Sequence, residues 1–178
     1  MTRKPAISVG LVLAVVGCAT APAIPPTQTD RVVVTTETQI LRGSEGAVMS
    51  VVVKAPPAKV FTALTSIYGD LGIDVKLSDP TNGQVGNRNF VKMHRLAGEP
   101  ISRYVDCGMM VTGLVADSYR VTMSLVSQVT PRDGGSNVET WLTAAARDLG
   151  TSTGDISCVS KGALETKVNQ LVLQQMGG

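Results

Sequence analysis

Three cysteines, Cys18, Cys107 and Cys158, and a single histidine, His94, are the residues of this 178-residue chain best suited to nucleophilic or metal chemistry. Cys107 and Cys158 are followed by Gly108 and Val159, and neither sits in a Cys-x-x-Cys pair, so a thioredoxin-type redox site is disfavoured. A zinc site needs three or four N, S or O ligands, and one histidine with scattered thiols does not make a ligand set. A serine hydrolase would have to use His94 as its base, and we expect no nucleophile elbow to present a serine. His94 lies beside Lys92 and Arg95 at the end of a predicted strand, where a surface histidine is the expected reading. The acids Asp70, Asp74, Asp79, Asp106 and Asp117 fall in predicted turns and helix ends, the usual place of solvated carboxylates, and nothing pairs two of them as a glycosidase requires. The glycine-containing stretches 69–72 and 83–86 match neither a phosphate-cradling loop nor a dinucleotide fingerprint. The residues therefore predict no catalytic site, no metal and no cofactor.

Chemistry of another kind is expected at the N-terminus. Arg3 and Lys4 precede an apolar run from Ala6 to Val16, broken only by Ser8 and Gly10. That run is shorter than the roughly 20 residues of a membrane-spanning helix and suits the hydrophobic region of a signal peptide. It closes on Val15-Val16-Gly17-Cys18. These four residues resemble the lipobox of bacterial lipoproteins: a branched apolar residue, a small or apolar one, a small one, then cysteine. The resemblance implies that the Cys18 thiol takes a diacylglycerol, that residues 1–17 are removed as a signal peptide, and that the new amine is acylated, with palmitate as a typical chain. Two signals are enough for stable membrane attachment, since each buried methylene contributes about 0.8 kcal/mol. Ala19 stands where an aspartate would mark inner-membrane retention in enterobacterial lipoproteins, so the resemblance points to the outer membrane, facing the periplasm. Ordinary secretion, with cleavage after Ala21-Pro22-Ala23, is one alternative; an uncleaved anchor, which the short run disfavours, is the other.

Beyond Cys18, residues 18–30 are rich in Ala, Pro and Thr without an apolar period and read as a tether. If extended as polyproline II, such a stretch holds a domain some 35 Å from its anchor. Residues 31–178 are expected to form one domain. Removing Arg3 and Lys4 with the signal leaves basic and acidic side chains equal in number, which excludes a basic footprint for nucleic acid or anionic lipid. Aromatics make up 3% of the chain, too few for stacking platforms. With Cys18 lipidated and the protein exported, Cys107 and Cys158 remain as an even pair, and a disulfide between them is expected.

The elements that would position these residues follow from periodicity. Runs at 31–36 and 48–54 are β-rich, with turn residues at 43–46 between them, and predict a hairpin. Val60, Phe61, Leu64, Ile67, Tyr68 and Leu71 lie on one helical stripe, so a helix is predicted over Pro57–Leu71, begun by Pro56-Pro57 and stopped by Gly72. Strands are predicted over Asp74–Leu77, Gln84–Met93, Tyr119–Val129 and Val138–Arg147. The stretch 98–110 is read as a loop or a short helix after Pro100. Leu164, Val168, Leu171, Val172 and Met176 form a second helical stripe, with Ser157 or Ser160 as candidate caps. The fold class is α+β: an antiparallel sheet with two main helices on one face.

The stretch Ala55–Gly86 carries a fold resemblance. A strand leads through Ala55-Pro56 into a helix, then Leu71-Gly72-Ile73, a turn, and Gly83-Gln84-Val85-Gly86. In this it resembles helix-grip domains and the repeated domains of BamC-type outer-membrane lipoproteins. The matching residues include no functional one, so the resemblance implies architecture and not activity. Met109, Met110 and Val111 are expected in the core, with the lining of an adaptable apolar groove as the functional alternative. The function expected is that of a non-catalytic, membrane-anchored envelope lipoprotein, an accessory or scaffold module that binds another envelope protein. The alternative is a carrier holding a small apolar ligand in a helix-grip cavity; an enzyme ranks third.

Overall fold

The computed structural model describes residues 48–150 and 154–177. The expected signal peptide, Cys18, the expected tether and the first arm of the predicted hairpin lie outside the described residues. In chain order the elements are β1 (Val48–Val53), α1 (Pro57–Asp70), β2 (Leu77–Asp79), β3 (Gln84–Met93), β4 (Arg95–Leu96), β5 (Glu99–Pro100), a 3-10 turn (Ile101–Arg103), β6 (Val105–Asp106), β7 (Met109–Met110), β8 (Gly113–Leu114), α2 (Val115–Ser118), β9 (Arg120–Arg132), β10 (Gly135–Arg147), β11 (Ile156–Ser160) and α3 (Ala163–Met176).

The protein is α+β, with a mostly antiparallel sheet and two main helices. The long hairpin β9–β10 is its spine, turned at Asp133-Gly134 and paired from Arg120↔Arg147 to Arg132↔Gly135. On one side β9 carries β3, which carries β2. On the other side β10 is shared end to end by two strands. Its first half pairs with β1, from Val53↔Ser136 to Val48↔Trp141, and its last residues pair with β11 at Ala144↔Cys158. β11 then continues outward to β6 through Val159↔Asp106. β11 replaces the cap expected at Ser157, which is a strand residue. Gly162 occupies the N-cap of α3 in a left-handed conformation, and no side chain caps it.

Helix α1 forms where its stripe predicts. Its end is a Schellman turn: Gly72, at φ 71°, donates its N–H to the Gly69 carbonyl, and Ile73 donates to Tyr68. Val60, Leu64, Ile67 and Tyr68 are fully buried, whereas Phe61, expected among them, is half-buried at the rim of the core. On α3 the buried apolar residues are Leu164, Val168 and Val172. Both helices cover the same face of the sheet, because each is hydrogen-bonded to it through one connected set of hydroxyls. That face presents Met123, Leu125 and Val129 from β9 and Val138, Leu142 and Ala144 from β10. The opposite face carries Val48, Ser50 and Val52 with Glu139 and Trp141, all exposed or half-exposed.

Between β3 and β9 the chain does not turn tightly. It leaves the sheet at the Met93↔Arg120 pair and makes a long excursion over residues 94–119. His94 starts it with φ 62°, a left-handed backbone uncommon for a side-chain-bearing residue. Its ring Nδ1 lies 2.7 Å from the Asp117 carbonyl, so one end of the excursion is tied to the other. The Asp117 carboxylate accepts from the Ser102 N–H at 2.8 Å and the Ser102 hydroxyl at 2.6 Å, bracing the 3-10 turn against α2.

Candidate functional site

Cys107 and Cys158 form a disulfide, with Cα atoms 4.2 Å apart. The bridge ties the middle of β11 to the excursion, and Cys158 stands opposite Ala144 of the spine. Two further bonds fix the residues after Cys107. The Asp106 carboxylate accepts from the Gly108 N–H at 2.9 Å, and Val115 donates to the Gly108 carbonyl at 3.1 Å. The bridge, the capped glycine and the closing bond together form a rigid stem.

What the stem holds is the hairpin β7–β8, paired through Met109↔Leu114 and Met110↔Gly113. Met109, Met110 and Val111 are therefore not core. They are 74%, 49% and 108% exposed, and Leu114 is 41% exposed. The physical reason is length: two-residue strands joined by Val111-Thr112 have no second layer to pack against, so their apolar side chains project outward. All three stand exposed on this hairpin. From Cys107 to Ala116 the chain has no charged residue. Beside Leu114 lies a shallow depression whose walls include Arg103, Lys161 and Glu99, and Lys161 Nζ donates to the Ser102 carbonyl at 2.8 Å.

A second cluster lies inside the core, and no pattern in the sequence points to it. Tyr68 of α1, Ser127 of β9, Thr140 of β10 and Asn169 of α3 form a chain of hydrogen bonds of 3.1, 2.8 and 3.0 Å. Each hydroxyl has one proton, and Thr140 donates to the Asn169 carbonyl oxygen. Ser127 must then donate to Thr140, and Tyr68 to Ser127. Burial, with help from the Glu165 carboxylate, raises the Tyr68 phenol far above its ordinary range, the Ser127 hydroxyl opposing. Glu165, in the first turn of α3, has no exposed surface. Its Oε1 accepts from the Ser160 hydroxyl at 2.5 Å, while Oε2 makes no hydrogen bond. Burial raises its carboxyl above the usual range, and the Ser160 hydroxyl and the backbone N–H groups of Glu165 and Leu142 act against the shift. This set has the polar groups of an active site but no access, since Tyr68, Ser127, Thr140 and Glu165 are all fully buried. It pins both helices to the sheet.

The other residues that the sequence offers for chemistry stay apart. Asp70, Asp74 and Asp106 are exposed; Asp79 caps the turn before β3 by accepting from Thr81 and Asn82. The spacing Gly150-Thr151-Ser152-Thr153-Gly154 does read Gly-x-Ser-x-Gly, contrary to the expectation that no such elbow exists. It joins the antiparallel strands β10 and β11, however, whereas a hydrolase elbow turns from a strand into a helix, and residues 151–153 lie outside the described residues. Among the described residues no group of three His, Cys, Asp or Glu side chains could hold a metal, and no helix is long and apolar enough to cross a membrane. The groove between α1 and the end of α3, lined by Lys59, Thr62, Ala63 and Met176, is open to solvent. The space between helices and sheet, where a carrier would hold its ligand, is filled here by Leu64, Ile67, Tyr68, Leu164 and Val168. No protein-family model matches the chain, and no curated protein matches it.

Proposed function

We propose that this protein is a non-catalytic lipoprotein of the bacterial cell envelope, anchored through acylated Cys18, whose α+β domain acts as an accessory or scaffold module for another envelope protein. The observation that carries the reading is the Cys107–Cys158 bridge. Structural disulfides persist in oxidising compartments and are rare in the cytosol. With these two cysteines paired, Cys18 stands alone at the end of an apolar run in a lipobox-like setting. The domain also favours a binding role over a chemical one: its polar cluster is sealed in the core, and its individual features are surface elements. The outer membrane, facing the periplasm, is the location this reading assigns. The test is Cys18→Ser in cells fed a labelled fatty acid. The wild-type chain takes up label and Cys18→Ser takes up none and stays unprocessed; a wild-type chain that takes up no label contradicts the reading.

A further inference from the structure

We propose that Asn82-Gly83 is a site of self-modification, at which the Gly83 backbone nitrogen displaces the Asn82 side-chain amide as ammonia and leaves an aspartyl or isoaspartyl residue in the turn between β2 and β3. Water is the only co-reactant, and Asp79 sets the rate.

The turn builds this dipeptide for structural reasons. Asp79, the last residue of β2, pairs with Gln84, the first of β3, and residues 80–83 close the loop. Gly83 sits at φ 66°, and a Cβ there would run into the backbone carbonyl oxygen of Val129, so the position is closed to side chains. Asn82 supplies a clamp. Its N–H donates to Asp79 Oδ1 at 3.1 Å and its Nδ2 donates to Oδ2 at 2.7 Å. Asparagine is chemically labile, and most so where no side chain follows to crowd ring closure. The Asn-Gly pair occurs once in the chain; Asn87, Asn89, Asn137 and Asn169 precede Arg, Phe, Val and Gln.

The reacting groups are open. Asn82 is exposed and Gly83 is half-buried. The Gly83 carbonyl accepts from the Val129 N–H at 2.8 Å, but the Gly83 N–H has no hydrogen bond among the described residues. It gives up its proton to solvent base without breaking a bond of the fold. The nitrogen then bonds to Asn82 Cγ, the Cγ–Nδ2 bond breaks, and Nδ2 leaves with a solvent proton as ammonia. Water opens the cyclic imide at either carbonyl, which gives the aspartyl form or, with the backbone rerouted through Cγ, the isoaspartyl form. Asp79 restrains the step. The Asn82 side chain, and then its N–H, hold this carboxyl below the ordinary carboxylate range, so it is charged. Its charge lies beside the centre where negative charge must develop.

Conversion removes the Nδ2 donor and sets a second carboxylate beside Asp79, and the isoaspartyl form lengthens the loop by a methylene. Among the described residues β2 is held in the sheet by β3 alone, through Leu77↔Gly86, Ser78↔Val85 and Asp79↔Gln84. This edge strand is what the modification loosens.

The test incubates the folded full chain at mildly alkaline pH and follows ammonia release together with the mass and isoaspartate content of the peptide containing residue 82. Asn82 is expected to convert while the other asparagines keep their amides. Amide hydrogens over residues 77–86 then exchange several-fold faster than in fresh protein, with the β9–β10 spine unchanged. Asp79→Asn keeps an acceptor for Asn82, removes the charge and cannot close a ring of its own, because Pro80 has no N–H. It is expected to convert several-fold faster than wild type. Asn82→Gln, whose longer side chain closes the ring poorly, is expected to release no ammonia on the same timescale. An Asn82 amide that survives in the folded chain overturns the proposal, and most plainly if the chain in urea loses it, since the fold then shields the dipeptide. Conversion of Asp79→Asn no faster than wild type overturns the role of Asp79. The wild-type result decides the site whether or not that variant folds.

Discussion

Glu165 and Asn169 show how a buried polar residue escapes notice in a sequence, and Glu165 what it does to stability. Both lie on faces that periodicity identifies, but Glu165 and Asn169 follow Leu164 and Val168 directly, and a polar letter beside an apolar stripe reads as its wet margin. α3 is set deep enough against β10 that this margin is also inside. Because burial raises the Glu165 carboxyl, ionisation is easier in the unfolded chain than in the folded one. Its share of stability is therefore fully present below the unfolded glutamate value of about 4.3 and declines as pH rises through the folded value. Urea titrations across that window should show wild-type stability falling relative to Glu165→Gln, which keeps an acceptor for Ser160 and cannot ionise. A pH-independent difference between the two contradicts the assignment. Tyr68→Phe should cost about 1 kcal/mol, the net worth of one buried hydrogen bond, with Ser127→Ala adding less than its own single effect because the two share that bond. The apolar side of α1 orders differently from the sequence expectation. Leu64→Ala should cost about 2–5 kcal/mol, while Phe61→Ala, at the rim, should fall below the about 3–5 kcal/mol of a buried phenylalanine. Denaturant midpoints at constant slope decide between them.

At the scale of elements, legibility follows the length of the pattern. α1, β3, the β9–β10 hairpin and α3 each carry several turns or alternations of consistent period, and they lie where the sequence puts them to within a few residues. β9 and β10 run longer than expected because their ends, Thr130–Arg132 and Gly135–Asn137, still pair although their letters are those of turns. β11 is not legible in the sequence: five residues between a Gly/Ser/Thr-rich stretch and a helical stripe give no alternation to count, and what makes it a strand is β10 on one side and β6 on the other. The excursion 94–119 is equally opaque, because its order comes from single bonds such as His94–Asp117 and Ser102–Asp117 and not from a repeat. The bridge is legible only through its compartment, and Met109–Val111 mislead because apolar letters at a tip look like core. The bridge closes a loop with a sequence separation of 51. In the chain-entropy model such a closure contributes about 4 kcal/mol, so replacing both cysteines with alanine should lower unfolding free energy by about 2–5 kcal/mol. The same variant should open residues 105–115 to protease before the β9–β10 spine. Simultaneous cleavage throughout would mean the excursion and the sheet unfold as one.

For the whole molecule, an antiparallel sheet is pinned to two helices by a sealed polar chain that runs from Tyr68 to Asn169. The reading proposed for this protein depends on one covalent fact, the fate of Cys18. The most direct measurement is the mass of the N-terminal peptide of the mature protein extracted from bacterial membranes. The account predicts a peptide that begins at Cys18 and carries a diacylglyceryl thioether, with an acyl chain on its amine. A mature chain that begins at Ile24 without lipid, or that retains residues 1–17 with a free Cys18 thiol, contradicts it.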